Sequence, residues 1–176
     1  GVKGLTVAVQ GLGNVGGPLC HLLHQAGARL VVSDLDVTRV DAAVRQYAAR
    51  AVASDAIYEV QADIFAPCAL GGVLDAATIP RLAARLVCGG ANNQLAAPDG
   101  ADALAARGIV YVPDYLVSAG GVIDFHQEHV DDRPEAVLAA VARIGPIASD
   151  ILAEARASGR TPLAVADALV LARLRR

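Results

Sequence analysis

The feature that most constrains the fold is a glycine-rich stretch, GLGNVGG at residues 11–17, between an apolar run and a segment of helical period. Residues 5–10 have the length and composition of a buried β-strand, and residues 14–26 have the periodicity of a helix. The glycines follow the spacing GxGxxG: Gly11, Gly13 and Gly16. The first allows a tight turn, the second a close backbone approach to a ligand, and the third close packing of helix on strand. The pattern predicts a phosphate cradle at the helix N-terminus.

An acidic residue stands where the second strand of this unit ends. Residues 29–33 predict a strand, and Asp34 follows it, 21 residues after Gly13. A carboxylate here accepts hydrogen bonds from an adenosine ribose and repels a 2′-phosphate, and no Arg or Lys follows before Arg39. We therefore expect NAD rather than NADP as the cofactor. The alternative is a structural turn in which Asp34 caps the next helix.

The rest of the chain alternates between short apolar runs and helical segments, which predicts a parallel sheet covered on both faces. Further strands are expected at 51–53, 63–66, 86–88 and 109–112, and helices at 37–49, 78–84 and 99–106. The predicted fold class is α/β, a Rossmann-type doubly wound parallel sheet with C-terminal helices.

The C-terminal part of the chain, from about residue 119, contains no further strand pattern. Two helices are predicted there, at 134–159 with a bend near 145–146, and at 162–174. We expect a single dinucleotide-binding domain over residues 1–176, in which 133–176 form a helical C-terminal extension.

Composition and charge exclude several classes of partner. Apolar residues make up 55% of the 176 residues, enough for a packed core, and the net charge of −3 comes from interspersed acids and bases. We therefore expect neither nucleic acid nor an anionic membrane surface as a partner. Because no apolar run reaches the roughly 20 residues of a membrane span, no span is expected. The first residue is Gly1 rather than Met, which favours a piece of a longer chain.

Three cysteines stand in apolar surroundings: Cys20, Cys68 and Cys88. An odd number without a CxxC pair is typical of a reducing compartment, so we expect a cytoplasmic location. No His or basic residue adjoins Cys68 to activate its thiol. We interpret Cys68 as a small apolar wall residue rather than a nucleophile.

Histidines occur in two pairs with three-residue spacing, which places two side chains on one helix face. The pairs are His21 with His24, and His126 with His129 in HQEHVDD (126–132), where Glu128, Asp131 and Asp132 are adjacent. The first pair has no third ligand nearby in sequence, and the second does not match HExxH. No metal site is predicted.

Three further motifs follow in order: DIFAPCALGGVL at 63–74, GANNQL at 90–95 and VPDYLVSAGGVI at 112–123. With residues 11–17 they resemble the NAD-binding, C-terminal domain of the glutamate, leucine, phenylalanine and valine dehydrogenase family. The APCALGG and GANNQL segments are more similar to the leucine, valine and phenylalanine branch than to the glutamate branch. The resemblance extends over essentially the whole chain.

The resemblance implies an NAD-dependent oxidoreductase that converts a small apolar L-amino acid into a 2-oxo acid and ammonium. It also implies that the family's acid–base groups lie on an N-terminal substrate domain that is absent from this chain. The implied cofactor contacts are Gly11, Leu12, Gly13, Asn14, Val15, Gly16 and Gly17 at the pyrophosphate, Asp34 at the adenosine ribose, Cys68, Ala69 and Leu70 along the nucleotide, and Asn92 at the nicotinamide ribose.

Two positions differ from the family pattern. The residue before the AGGV run is usually Asn, and the resemblance places it near the nicotinamide carboxamide, but here it is Ser118. On the substrate side, Val122 is followed three residues later by Phe125, where leucine-type enzymes have a small aliphatic residue. The amino acid that this pocket accepts therefore stays open.

No catalytic group is expected in this chain. Its one lysine, Lys3, precedes the first strand, at the end of the sheet opposite the glycine stretch, where it is badly placed to act as a base. Asp114 and Asp124 are interpreted as caps or polar contacts rather than proton-transfer groups. We expect NAD binding without deamination, and either self-association or a substrate-domain partner through the apolar stripe of residues 163–174.

Two other functions stay open. A natural short protein could retain nucleotide binding and act as a redox-state sensor or partner subunit without catalysis. A different kind of dehydrogenase could carry its base within this chain, for example at His126.

Overall fold

The computed structural model of the protein describes residues 1–130 and 134–175, with side chains described except at 127–130 and 134. The strands are β1 (Thr6–Gln10), β2 (Arg29–Ser33), β3 (Arg50–Ala51), β4 (Ile64–Pro67), β5 (Leu86–Val87) and β6 (Val110–Tyr111). The described residues form a six-stranded sheet in the order β3-β2-β1-β4-β5-β6, and every neighbouring pair is parallel. The predicted α/β fold with a doubly wound parallel sheet is confirmed.

The helices connect these strands and then continue alone to the C-terminus. They are α1 (Gly16–Gln25), α2 (Val37–Tyr47), α3 (Gly100–Ala106), α4 (Asp114–Val117), α5 (Gly120–Val130), α6 (Pro134–Ala142), α7 (Ile144–Ser158) and α8 (Pro162–Leu174). Asp36 caps α2 by accepting a hydrogen bond from the Thr38 N–H at 2.9 Å. Thr161 caps α8 in the same way, and Pro162 follows as its first residue, where the missing N–H costs nothing.

Strand β1 lies at the centre of the core and buries both of its faces. Val7 and Val9 pack with Cys20 of α1 in one apolar cluster, whereas Ala8 packs with Phe65 in the cluster on the other side of the sheet. Successive side chains of a strand point to opposite faces, so a strand covered on both sides needs apolar residues at every position. This explains the continuous apolar run in the sequence.

The strand order reverses beside β1, because the chain moves outward to β2 and β3 and then returns to β4 on the other side. The register aligns Gln10, at the end of β1, with Ser33 and with Pro67. The residues that follow leave the sheet together at its carboxyl edge: Gly11, Asp34 and Cys68. Ligands of open α/β sheets bind at such a reversal, outside the carboxyl ends of the strands.

The predicted helix at 78–84 is only a short 3₁₀ turn, Ile79–Arg81. Beyond the turn, the Ala83 N–H donates to the carbonyl of Tyr58 at 2.9 Å instead of continuing a helical ladder. A backbone hydrogen bond to a neighbouring segment therefore overrides local helical propensity at this position.

The predicted helix over 134–159 is two helices, α6 and α7, which meet at Arg143. Pro146 lacks an N–H, and its ring would clash with the carbonyl four residues earlier, on Ala142, if one helix continued. The break therefore lies upstream of the bend predicted near 145–146.

The same region meets the length and composition of a membrane span, although the sequence predicted no span. The helical stretch Glu135–Ser158 has 24 residues and a mean hydropathy of 1.6, and 6% of its most apolar window is buried. Length and composition suffice for a span, because many alanines raise the mean hydropathy although charged residues interrupt the run. A single helix of this kind is weak evidence for a membrane, since a helix that packs on another protein surface has the same composition.

Candidate functional site

Two glycines of the stretch 11–17 have no room for a side chain. Gly11 has a φ of +90°, and a Cβ there would lie 2.8 Å from the Cβ of Ala69. A Cβ on Gly16 would overlap the carbonyl oxygen of Gly11 and would lie 3.2 Å from the Cβ of Cys68. These contacts lock the turn after β1 against the segment after β4, so both glycines are required for the turn itself.

The middle glycine has a different environment. A Cβ on Gly13 would meet only Arg39 Nη1, at 3.5 Å, and one on Gly17 would lie 3.4 Å from the Leu12 carbonyl oxygen. The side chain of Leu12 is buried in the core, while Val15 is half exposed. The turn therefore presents backbone rather than side chains around Gly13, at the open side of the stretch.

The N-terminus of α1 opens on this turn. No described side chain caps it, and the first turn carries no acidic residue. Its leading N–H groups thus remain as donors, and the helix dipole adds positive potential at the same point. An anion is the ligand that such an end prefers.

Asp34 connects the turn to the end of β2. Its Oδ2 accepts a hydrogen bond from the Leu12 N–H at 2.5 Å, and its Oδ1 accepts one from the Asp36 N–H at 2.8 Å. The alternative that Asp34 caps the following helix is wrong, because Asp36 fills that position. Asp34 instead orders the glycine stretch and is partly exposed beside it.

A cavity of about 460 Å³, here named the loop cavity, lies at this edge of the sheet. It brings together six residues that the sequence predicted: Gly11, Gly13, Asp34, Cys68, Ala69 and Leu70. It also includes residues that the sequence reasoning missed: Gln10, Ser33, Leu35, Arg39, Ser54 and Val73. Polar residues at the last positions of buried strands were the available signal for Gln10 and Ser33.

Two buried polar atoms beside the loop cavity make no hydrogen bond to any described residue, namely Gln10 Oε1 and Ser33 Oγ. The amide nitrogen of Gln10 is used, since it donates to the Tyr58 hydroxyl at 2.8 Å. Unpartnered polar atoms are costly in a protein interior and are usually satisfied by a ligand or by water. Their position at the wall of the loop cavity is consistent with a polar ligand there.

The cysteine chemistry follows from burial. Burial raises the pKa of the Cys68 thiol, and a hydrogen bond from the Gly90 N–H lowers it by less. Burial also raises the pKa of the Cys20 thiol to about 12. A neutral thiol is a poor nucleophile, so Cys68 acts as a wall of the loop cavity, as interpreted from the sequence.

A second cavity, here named the α4 cavity, has a volume of about 610 Å³. It is lined by three predicted residues, Asn92, Ser118 and Val122, and also by Asn93, Asp114, Tyr115, Ala119 and Gly121. Phe125 is two-thirds exposed and is not among the lining residues. Burial, followed by the hydrogen bond to Asp167, raises the pKa of the Tyr115 hydroxyl, which stays neutral.

Backbone hydrogen bonds join the motifs around these cavities. The Gly72 N–H donates to the Asn93 carbonyl at 2.7 Å, which ties the APCALGG segment to the GANNQL segment. Asp114 Oδ2 accepts from the Gln94 N–H at 2.7 Å, and Oδ1 accepts from the Tyr115 N–H at 2.6 Å. Asp114 is thus a structural contact, as interpreted, that fixes the start of α4 against the GANNQL segment.

The remaining candidates lie away from both cavities. Lys3 contacts Gly27 at the amino edge of the sheet, where a Cβ on Gly27 would be 3.2 Å from Lys3 Cγ. His21 and His24 flank the ring of Tyr47, with ring centroids 6.1 and 5.5 Å from it. Neither location offers these side chains to a ligand at the carboxyl edge.

The histidine and acid cluster after Phe125 is only partly described. His126 and Asp124 are exposed on α5. The side chains of Glu128 and His129, and all of Asp131 and Asp132, lie outside the described residues. Among the described side chains, no three His, Cys, Asp or Glu residues come together as a metal site would require.

Comparison with protein families gives a match to the family described as glutamate/leucine/phenylalanine/valine dehydrogenase, over residues 32–140. The chain is 49% identical to the leucine dehydrogenase of Geobacillus stearothermophilus over 127 residues, which are 72% of this chain and 35% of that protein. It is 41% identical to the leucine dehydrogenase of Bacillus subtilis (strain 168) over 175 residues, which are 99% of this chain and 48% of that protein.

A solved structure extends this similarity to three dimensions. The crystal structure of L-tryptophan dehydrogenase from Nostoc punctiforme matches with a TM-score of 0.95 at 40% identity, covering 98% of this chain and 53% of that chain. The family inferred from the four motifs, and the similarity to its leucine, valine and phenylalanine branch, are confirmed. The chain spans half the length or less of the curated relatives named here.

Proposed function

The chain belongs to the glutamate, leucine, phenylalanine and valine dehydrogenase family, and from that premise we propose that it is the NAD-binding domain of an amino-acid oxidoreductase. The observation that carries the proposal is the loop cavity, where the glycine turn, Asp34 and the segment after β4 meet at the reversal of strand order. The whole protein would convert an apolar L-amino acid into a 2-oxo acid and ammonium, and NAD, when bound, would accept the hydride.

The glycine stretch would hold the pyrophosphate. The open backbone around Gly13 lets phosphate oxygens approach, and the uncapped N-terminus of α1 supplies N–H donors from Asn14, Val15 and Gly16. The Gly17 N–H already donates to the Gly13 carbonyl at 3.0 Å, so Gly17 would shape the turn rather than donate to phosphate. Leu12 contributes differently, because its N–H is already donated to Asp34 and its side chain lies in the core. Its role is to fix the turn rather than to contact phosphate.

Asp34 would accept hydrogen bonds from the adenosine ribose. Its two oxygens each take one backbone N–H, and each carboxylate oxygen has a further lone pair for a hydroxyl. Ala69 and Leu70 follow Cys68 on the opposite wall of the loop cavity and would contact the nucleotide through their apolar surface. The side chain of Leu70 is 77% exposed, so it is accessible for such a contact.

The nicotinamide end would lie in the α4 cavity. Asn92 and Ser118 line it and offer an amide and a hydroxyl to the ribose and the carboxamide. Val122 and, further along α5, Phe125 would border the amino-acid side chain. A Phe at this point reduces the room for a branched substrate and adds aromatic surface instead.

We propose that the chain alone binds NAD without catalysing deamination. The one lysine, Lys3, lies at the opposite edge of the sheet from both cavities, and Asp114 is occupied by two backbone N–H groups. The acid–base groups would then come from a substrate domain, docked on the exposed apolar faces of α6 and α8. Three free cysteines favour a cytoplasmic location.

Calorimetric titration of the purified chain with NAD and with NADP tests the proposal, alongside a spectrophotometric assay with a panel of L-amino acids. Binding of NAD, weaker binding of NADP and no turnover are expected. Gly13→Val should abolish NAD binding while the fold, followed by circular dichroism, is retained. Absence of NAD binding would refute the cofactor assignment, and turnover would show that the catalytic base lies within this chain.

A further inference from the structure

Arg39, in the first turn of α2, extends its side chain back toward the glycine stretch. Its Nη1 lies 3.5 Å from the position that a Cβ on Gly13 would occupy. Arg39 and Asp34 both line the loop cavity, so a basic and an acidic side chain face the same space. Arg39 also borders a smaller cleft of about 150 Å³ between α1 and α2, so this residue lines both spaces.

Asp36 holds Arg39 in this position. Arg39 Nε lies 3.2 Å from Asp36 Oδ2, while Asp36 Oδ1 accepts hydrogen bonds from the N–H and the hydroxyl of Thr38 at 2.9 and 2.6 Å. The hydrogen bonds from Thr38 lower the pKa of Asp36 and keep it ionised. Nε is thus committed to the ion pair, whereas the two terminal nitrogens of Arg39 make no hydrogen bond to a described residue.

Asp34 is held in a different way. It accepts hydrogen bonds from the N–H groups of Leu12 and Asp36, and within the described part of the chain it forms no ion pair with a basic side chain. Its negative charge is therefore not neutralised by Arg39, which pairs with Asp36 instead. The loop cavity presents a carboxylate and a guanidinium that are both available to a ligand.

These two groups suit the two forms of the adenosine ribose. A carboxylate accepts hydrogen bonds from a 2′-hydroxyl and repels a 2′-phosphate, whereas a planar guanidinium binds a phosphate through two parallel N–H groups. We propose that Arg39 is a specificity-determining residue that is already placed to bind a 2′-phosphate. The negative charge of Asp34 prevents Arg39 from selecting NADP. The proposal rests on the proposed function, since it requires the adenosine end of the cofactor to occupy the loop cavity.

The test uses two probes that differ only in the 2′-phosphate, 5′-AMP and adenosine 2′,5′-bisphosphate, titrated calorimetrically into wild type, D34N, R39Q and D34N/R39Q. Asn retains an oxygen that can accept from the Leu12 N–H but removes the charge. R45Q is the matched control, because Arg45 is an exposed cation on the same helix that lines neither space.

In D34N the affinity for the bisphosphate should rise about tenfold over wild type, and D34N/R39Q should lose that gain, as expected for one charge-assisted phosphate contact. R45Q should change neither affinity by more than about twofold. A bisphosphate affinity in D34N/R39Q equal to that of D34N would overturn the role of Arg39, and so would the lack of any gain in D34N.

Thermal unfolding of each variant shows whether the turn survives. If D34N does not fold, R39Q in the wild-type background decides, because it should weaken bisphosphate binding severalfold more than AMP binding, and equal losses would overturn the proposal. If the wild-type chain binds NAD and AMP but the variants do not behave as expected, only the role of Arg39 is refuted. A wild-type chain that binds neither refutes the proposed function as well.

Discussion

Strands β1 and β2 bury nearly all of their apolar side chains, whereas helices α6 and α8 expose many of theirs. Val9 and Val32 are fully buried, while Leu138 and Leu174 are 69% and 78% exposed. Among the C-terminal helices the buried core is a small cluster of Ile151, Ala155, Val165 and Ala166. The sheet therefore completes its core within the described chain, but the C-terminal helices carry apolar faces that suit contact with another protein surface.

This contrast explains where the candidate site lies. The loop cavity is built on the region that needs no external support, because the ends of β1, β2 and β4 fix the glycine turn, Asp34 and Cys68. The α4 cavity lies where the sheet meets the less buried helices. We therefore expect nucleotide binding to survive in this chain and amino-acid binding to depend on what covers the helices.

The largest effect should come from truncating the sheet core. Phe65→Ala removes a fully buried ring and should lower the free energy of unfolding by about 3–5 kcal/mol. Leu171→Ala, on the half-exposed face of α8, should change it by less than about 0.5 kcal/mol. Urea unfolding followed by circular dichroism suits a chain without Trp. Equal losses at the two positions would remove the distinction between the regions.

The next effect distinguishes two glycines of one turn. Gly16→Ala forces a Cβ onto the Gly11 carbonyl, so it should cost about 1–3 kcal/mol of unfolding free energy and abolish NAD binding. The new Cβ in Gly13→Ala makes only an ordinary van der Waals contact with Arg39 Nη1 at 3.5 Å, so stability should stay within about 0.5 kcal/mol of wild type while NAD binding weakens. If Gly13→Ala were as destabilising as Gly16→Ala, the inference that the turn has room for a side chain at Gly13 would be refuted.

A smaller effect concerns the buried thiol of Cys20. Burial raises its pKa from 9.0 to about 12, so the folded state keeps the proton that the unfolded state releases as pH rises above 9. Stability from this group is present below pH 9 and is lost as pH rises toward 12. Between about pH 8 and pH 10 the loss should be about 1 kcal/mol.

The contribution of Cys20 is isolated by repeating the unfolding measurements on Cys20→Ala. This variant should be less stable at both pH values because it leaves a small cavity, but it should lose less stability between them. The same pH dependence in wild type and variant would assign the loss to other groups.

The smallest change in stability is expected on the exposed stripe of α8. Leu171→Ser and Leu174→Ser should alter the unfolding free energy by less than about 0.5 kcal/mol but should reduce self-association in sedimentation velocity. Arg173→Ser is the control on the same helix. Unchanged sedimentation of the leucine variants would show that this stripe is not a contact surface.

Much of the fold could be predicted from the sequence because local signals and tertiary structure agree there. The bounds of β2 and α8 match their predicted ranges, since a buried apolar run and a Thr-Pro start leave few alternatives. The segment 78–84 could not be predicted, because a hydrogen bond to Tyr58, far away in sequence, decides its backbone. Tertiary contacts of this kind leave no local pattern.

The candidate site was predictable in the same uneven way. Gly11, Asp34 and Cys68 follow strands, so the register of a parallel sheet brings them together. The position of the Arg39 side chain could not be predicted, because the i,i+3 spacing allows an ion pair with Asp36 but does not show that the side chain is directed toward Gly13. Long side chains reach a site from elements that a motif does not include.

The most direct test of the account is amide hydrogen exchange of the chain with and without saturating NAD. Without NAD, exchange should be slow in β1 and β2, which are buried, and faster in α6 and α8, which are more exposed. With NAD, exchange should slow at residues 11–17 and around 68–70, with little change in α8. No protection at residues 11–17, or protection confined to the C-terminal helices, would contradict the assignment of the loop cavity as the cofactor site.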